Sequence, residues 1–115
     1  MSDYVCTRVW QLRPDASVRD VEALASSGML EILSWIPGIK RFSLCRLSGE
    51  PRRYLMSMIF AGYGSYMYWR QVEEEAADYW EHFAAVVAQW EQLCQLVEEY
   101  GGDGVMDVVF DEKNR

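Results

Sequence analysis

The stretch RYLMSMIFA, residues 53–61, constrains this chain more than any other. Its run of apolar and aromatic residues reads as a strand. A strand wet on one side alternates apolar and polar residues. This one sets Leu55, Ile59 and Ala61 on one face and Met56, Met58 and Phe60 on the other. Both faces of the sheet that it enters must therefore be covered.

Its expected partners follow from similar signals. YVCTRVWQL (4–12) is rich in β-branched and aromatic residues and ends at Arg13-Pro14. IKRFSLCRL (39–47) begins after Pro37-Gly38 and closes at Ser48-Gly49. VMDVVF (105–110) reads as the last strand, followed by the solvated tail DEKNR. Between the first two strands, Ser17 and Asp20 make a capping-box-like start. Val21, Leu24 and Ala25 then recur at helical spacing, Ser26-Ser27-Gly28 interrupts, and Met29, Leu30, Leu33 and Trp35 continue. Residues 65–100 read as helical overall, with an apolar stripe through Tyr79, Phe83, Val86, Trp90 and Val97. Gly101-Gly102 supplies the expected helix stop.

The order strand, helix, strand, strand, helix, strand predicts an α+β chain of ferredoxin-like, split βαβ (β-α-β-β-α-β) type. One domain spans residues 1–115, with two helical segments over one face of a four-stranded antiparallel sheet. The first strand is also apolar on both sides, with Tyr4, Cys6 and Trp10 opposite Val5 and Val9. An uncovered face of this kind exceeds the apolar patch that a monomer tolerates. A second copy, packed sheet against sheet, is the expected cover and makes a homodimer.

Charge narrows the partners. With 18 acidic against 11 basic residues, the net charge of −7 disfavours a phosphate backbone, so nucleic acid is not expected. No apolar run approaches the ~20 residues that cross a bilayer, so no membrane partner is expected. The amino terminus lacks a secretory signal's basic start and apolar block, and a cytoplasmic location is the expectation. Cys6, Cys45 and Cys94 are too few and too scattered for a disulfide framework, and His82 is the only histidine. No dedicated metal site is expected. GYG at 62–64 is not a dinucleotide loop, because Met67 stands where a third glycine belongs.

LSWIPGIKRFSLCRLSGE resembles the helix-Pro-Gly-strand signature of the dimeric α/β-barrel superfamily, and SYMYWRQ carries the tryptophan that recurs there after the third strand. That superfamily includes antibiotic-biosynthesis monooxygenases and haem-degrading monooxygenases. The resemblance implies a dimeric α/β barrel and a pocket between sheet and helices. Trp69 and His82 resemble the pocket tryptophan and helical histidine ligand of the haem-degrading members. The asparagine that such enzymes carry on the first strand is missing, since that region reads Cys6-Thr7-Arg8 and the sole asparagine is Asn114.

The candidate ligand-pocket residues are Arg8, Trp10, Tyr63, Tyr66, Trp69, His82 and Asp107. The aromatics of GYGSYMYWRQ either cap the core or wall a pocket for a flat ligand. His82 is either a structural histidine or the candidate catalytic base. Arg8 and Asp107 each interrupt an apolar strand. They are read either as a buried ion pair fixing dimer register, or as a site in which Arg8 holds a carboxylate or phenolate. Glu73-Glu74-Glu75 and Glu98-Glu99 read as solvated helix surface.

The functional expectation is a small-molecule-binding protein, a cofactor-independent monooxygenase-like enzyme for an aromatic or polyketide-like compound. The alternatives are a non-catalytic binding or assembly module and, behind it, a haem-degrading enzyme.

Overall fold

Four β-rich segments pair into one antiparallel sheet in this computed structural model, which describes residues 2–49 and 52–110. The strands are β1 (Tyr4–Leu12), β2 (Ile39–Arg46), β3 (Arg53–Phe60) and β4 (Cys94–Asp103), in the order β2-β3-β1-β4. Between β1 and β2 lie α1 (Val18–Leu24), a π-helical turn (Ala25–Met29) and α2 (Leu30–Leu33). Between β3 and β4 lie α3 (Tyr63–Glu75) and α4 (Ala77–Leu93). This is the ferredoxin-like arrangement that the element order implied.

Local chemistry explains the boundaries. The backbone N–H of Asp20 donates to Ser17 Oγ at 3.0 Å and opens α1. Ser26 and Ser27 then bond back to the Glu22 and Ala23 carbonyls at 2.9 and 2.8 Å, where the helix widens into its π-turn. Gly38 has φ +80°, the left-handed turn into β2 that glycine adopts without strain.

The register resolves the two faces of the sheet. Cys6, Trp10 and Leu12 of β1 and Tyr54, Met56, Met58 and Phe60 of β3 are buried beneath the helices. They meet Val21, Ile32, Phe83 and Trp90 in one core. The Tyr54 hydroxyl donates to Glu22 Oε2 at 2.7 Å, tying sheet to α1. On the outer face Val5, Leu55 and Ile59 are half-buried among Thr7 and Ser57, so that face is apolar but interleaved with small hydroxyls.

The last strand is a correction. Residues 105–110 were expected to form it; they carry no regular structure, and β4 is built instead from Cys94–Asp103, which takes in the end of the expected helix and its expected stop. α4 ends at Leu93 because the following residues pair along the free edge of β1, with a bulge at Val9/Trp10. Gly101 lies opposite Cys6 within that strand and stops no helix; a Cβ there would run into the Tyr4 hydroxyl. The expected long helix is also broken at Ala76, which is extended with ψ 114°. The Glu73-Glu74-Glu75 carboxylates oppose the dipole at the carboxyl end of α3 and suit the amino end of α4.

Candidate functional site

A cavity of about 570 Å³ lies between the sheet and the helices. Its walls include Trp10 of β1, Met56 and Met58 of β3, Trp69 of α3, and Tyr79 and Trp90 of α4. Trp10 and Trp90 meet edge to face with centroids 5.5 Å apart, and Trp69 stacks on Phe60 at 5.6 Å. Aromatic side chains at such spacing make a rigid apolar wall.

A cluster of charges lies beside Trp69. Arg8 projects from β1 on the helix face, between Cys6 and Trp10, and its Cζ lies 5.2 Å from the Trp69 ring centroid. That is cation–π range. Its Nε donates to Glu99 Oε2 at 2.5 Å. Glu99 also draws in Arg70 Nη1 at 3.7 Å, and the same nitrogen donates to the Tyr66 hydroxyl at 3.1 Å. Burial of Glu73 pushes its carboxyl above the ordinary range, and Arg8 and Arg70 offset only part of that. Burial likewise raises the Tyr79 hydroxyl to about 12, with Glu73 adding to the shift.

The structure gathers Arg8, Trp10 and Trp69 in this cavity. Tyr66 is buried beside it and, with Tyr4 and the exposed Tyr63, walls a separate and more open hollow. Of the four aromatics in GYGSYMYWRQ, Tyr66 and Trp69 are core and Tyr63 and Tyr68 are 55% exposed. His82 sits on the exposed side of α4, 5.1 Å from the Trp35 ring centroid, and does not line the cavity that Trp69 walls.

Asp107 requires the second correction. It was expected next to Arg8 on a neighbouring strand. It lies in the 105–110 segment and approaches Arg41 Nη1 at 3.8 Å, with both side chains 55% exposed. Arg8 does have a carboxylate partner on β4, but that partner is Glu99. The pair also faces the helices, not the outer side of the sheet where a partner subunit was expected.

Glu73, Tyr79, Trp90 and Glu99 were not singled out as site residues. For Glu73 a signal existed: it stands four residues after Trp69, so the two share a helical face. Glu99 became visible only once β4 was placed. Among the described residues, no group of three or more His, Cys, Asp or Glu could hold a metal ion. Among the same residues, no helix is long and apolar enough to cross a membrane.

No protein-family model matches this chain, and neither does any curated protein sequence. Solved structures do. HapK from Hahella chejuensis is similar over 95% of this chain and 98% of its own, with a TM-score of 0.69 at 16% identity. An antibiotic-biosynthesis-monooxygenase-type protein from Caulobacter crescentus CB15 is similar over 91% and 92%, with 0.67 at 16%. SnoaB from Streptomyces nogalater, a cofactor-independent oxygenase, is similar over 97% and 100%, with 0.64 at 11%. The chain has the ferredoxin-like fold of these proteins. At these identities the likeness establishes the shared architecture, and the chemistry must be argued from the cavity.

Proposed function

We propose that this chain is a small-molecule-binding protein of dimeric α/β-barrel type, acting as a cofactor-independent monooxygenase on an aromatic or polyketide-like compound. The observation that carries the reading is the cavity of about 570 Å³ walled by Trp10, Trp69 and Trp90, with Arg8 at its margin. Its size suits a small organic ligand, its walls suit flat rings, and its guanidinium suits a developing enolate or phenolate. The similarity in fold to SnoaB supports the same general kind of chemistry.

The reaction needs an activated methylene. Loss of its proton leaves an anion delocalised over the ring system, which reacts with dioxygen. One CH₂ and one O₂ give one C=O and one H₂O. Arg8 would hold the anion, and the indoles would hold the rings in place and exclude water.

The test is dioxygen uptake with anthrone, measured against a protein-free control. An accelerated rate that falls about a hundredfold in Arg8→Met supports the reading. Inertness across a panel of activated aromatics would instead favour a non-catalytic binding module. That second reading has its own support in the lack of an asparagine beside Trp69 to hold a substrate oxygen, since the sole asparagine is Asn114 in the tail. A haem site does not fit the residues present, because His82 and Trp69 do not face a common cavity.

The proposed partner is a second copy. Val5, Leu55 and Ile59 on the outer face are half-buried in the single chain. The 105–110 segment leaves Val105 97% and Met106 83% exposed. Covering these surfaces removes apolar area from water at roughly 25 cal/mol per Å², and a two-fold arrangement covers both copies at once.

A further inference from the structure

Four buried side-chain polar atoms among the described residues have no protein hydrogen-bond partner. Three are the indole Nε1 groups of Trp10, Trp69 and Trp90, and the fourth is Nε of Arg70. All four residues line the same cavity. The three tryptophans are 9, 4 and 3% exposed, so bulk solvent does not serve them. Buried donors left unpaired are costly, and here all four belong to residues that line one space. Each is a donor and none an acceptor, so the complementary ligand carries acceptor atoms, a role that oxygens on an aromatic ring fill.

The cavity's carboxylates are not equivalent. Glu99 is held by Arg8 and Arg70, Glu74 approaches Arg70 at 3.5 Å from an exposed position, and Glu91 is exposed to water. Glu73 is half-buried and, among the described residues, forms no ion pair within 4.0 Å. The charged and titratable groups that act on it are Arg8 from β1, Arg70 and Glu74 from α3, Tyr79 from α4 and Glu99 from β4. A carboxylate partly withdrawn from water and without a firm partner gains more from taking up a proton than an exposed one does.

Resting on the small-molecule reading of the cavity, we propose that Glu73 is its proton acceptor. The ligand class is a flat aromatic that combines an acidic C–H with ring oxygens, the oxygens received by the indole N–H groups of Trp10, Trp69 and Trp90. In the step, the C–H bond breaks and its proton passes to the Glu73 carboxylate. The electron pair stays on carbon and delocalises onto a ring oxygen facing Arg8. The reverse transfer restores both partners, so without dioxygen the net result is hydrogen exchange. Its rate rises with pH as Glu73 ionises, across a range set above the ordinary carboxylate value.

The experiment uses 1,8-dihydroxyanthrone, an anthrone whose rings carry a carbonyl and two hydroxyl oxygens, without dioxygen in D₂O. Proton NMR follows loss of the methylene signal, and quenching of tryptophan emission follows binding. Wild-type protein should bind the anthrone and accelerate exchange beyond buffer. Glu73→Gln should bind equally well and lose about a hundredfold or more in exchange rate, along with its pH dependence. Glu73→Asp should recover part of both, which a merely structural glutamate would not require. Exchange at the wild-type rate in a folded Glu73→Gln protein overturns the assignment and leaves the monooxygenase reading standing. Exchange in wild type without dioxygen uptake in air supports Glu73 and overturns the monooxygenase. Failure of wild type to bind the anthrone overturns both.

Discussion

Single residues here answer to close contacts. Gly101 is required by the ring of Tyr4, which is itself wedged against Tyr63 and Tyr66 at centroid distances of 5.0 and 4.6 Å. With the ring pinned, Gly101→Ala must distort the β1–β4 pairing, and we expect a loss of about 1–3 kcal/mol in urea unfolding. Trp69 illustrates the opposite failure. It stacks on Phe60 and lies under Arg8, so Trp69→Ala opens a void and should cost about 3–5 kcal/mol in the same assay. Trp69→Phe should retain most of that stability while losing the indole N–H, which separates folding from ligand binding.

Elements show what the linear order could and could not reveal. β1, β2 and β3 were legible from their β-rich runs and the Pro37-Gly38 and Arg13-Pro14 punctuation, and the α1 start was legible from Ser17. β4 was not. Leu93, Cys94 and Val97 continue the three-and-four spacing of α4, and Gly101-Gly102 imitates a helix stop. Pairing with the free edge of β1 outweighs that local pattern, as tertiary context does for ambiguous segments. The misplaced strand carried Asp107 into the site and kept Glu99 out of it. Arg8, Trp10 and Trp69 line the cavity because β1 and the first part of the helical stretch lie where their residue patterns put them.

The packing between layers also has a pH signature. Burial, with the bond to Glu22, raises Tyr54 to about 12, and burial raises Tyr79 to about 12. Unfolded tyrosine ionises near 10. Each group therefore contributes stability that is present in full below about pH 10 and is lost as pH rises toward 12. Tyrosinate absorbance should show a late component that coincides with loss of the far-ultraviolet helical signal. Ionisation of all seven tyrosines near pH 10 in a still-folded protein would contradict this.

At the scale of the whole molecule, the proposed dimer depends on surfaces that one chain leaves open. Removing residues 105–115 deletes Val105, Met106, Val108, Val109 and Phe110, all more than half exposed. Sedimentation should then show weaker self-association at micromolar concentration with the fold retained. An unchanged dissociation constant would confine the interface to the sheet.

The route of that segment has a consequence of its own. It leaves β4 at one border of the sheet, where Gly104 N–H donates to the Asp3 carbonyl at 2.7 Å, and reaches Arg41 of β2 at the other. Among the described residues its ion pair is this 3.8 Å contact between two side chains that are each 55% exposed, which mobile ions weaken readily. Added electrolyte should loosen this greasy arm and, at the same time, mute the repulsion between two bodies of like sign. Dilute buffer would keep copies apart, and brine would draw them together.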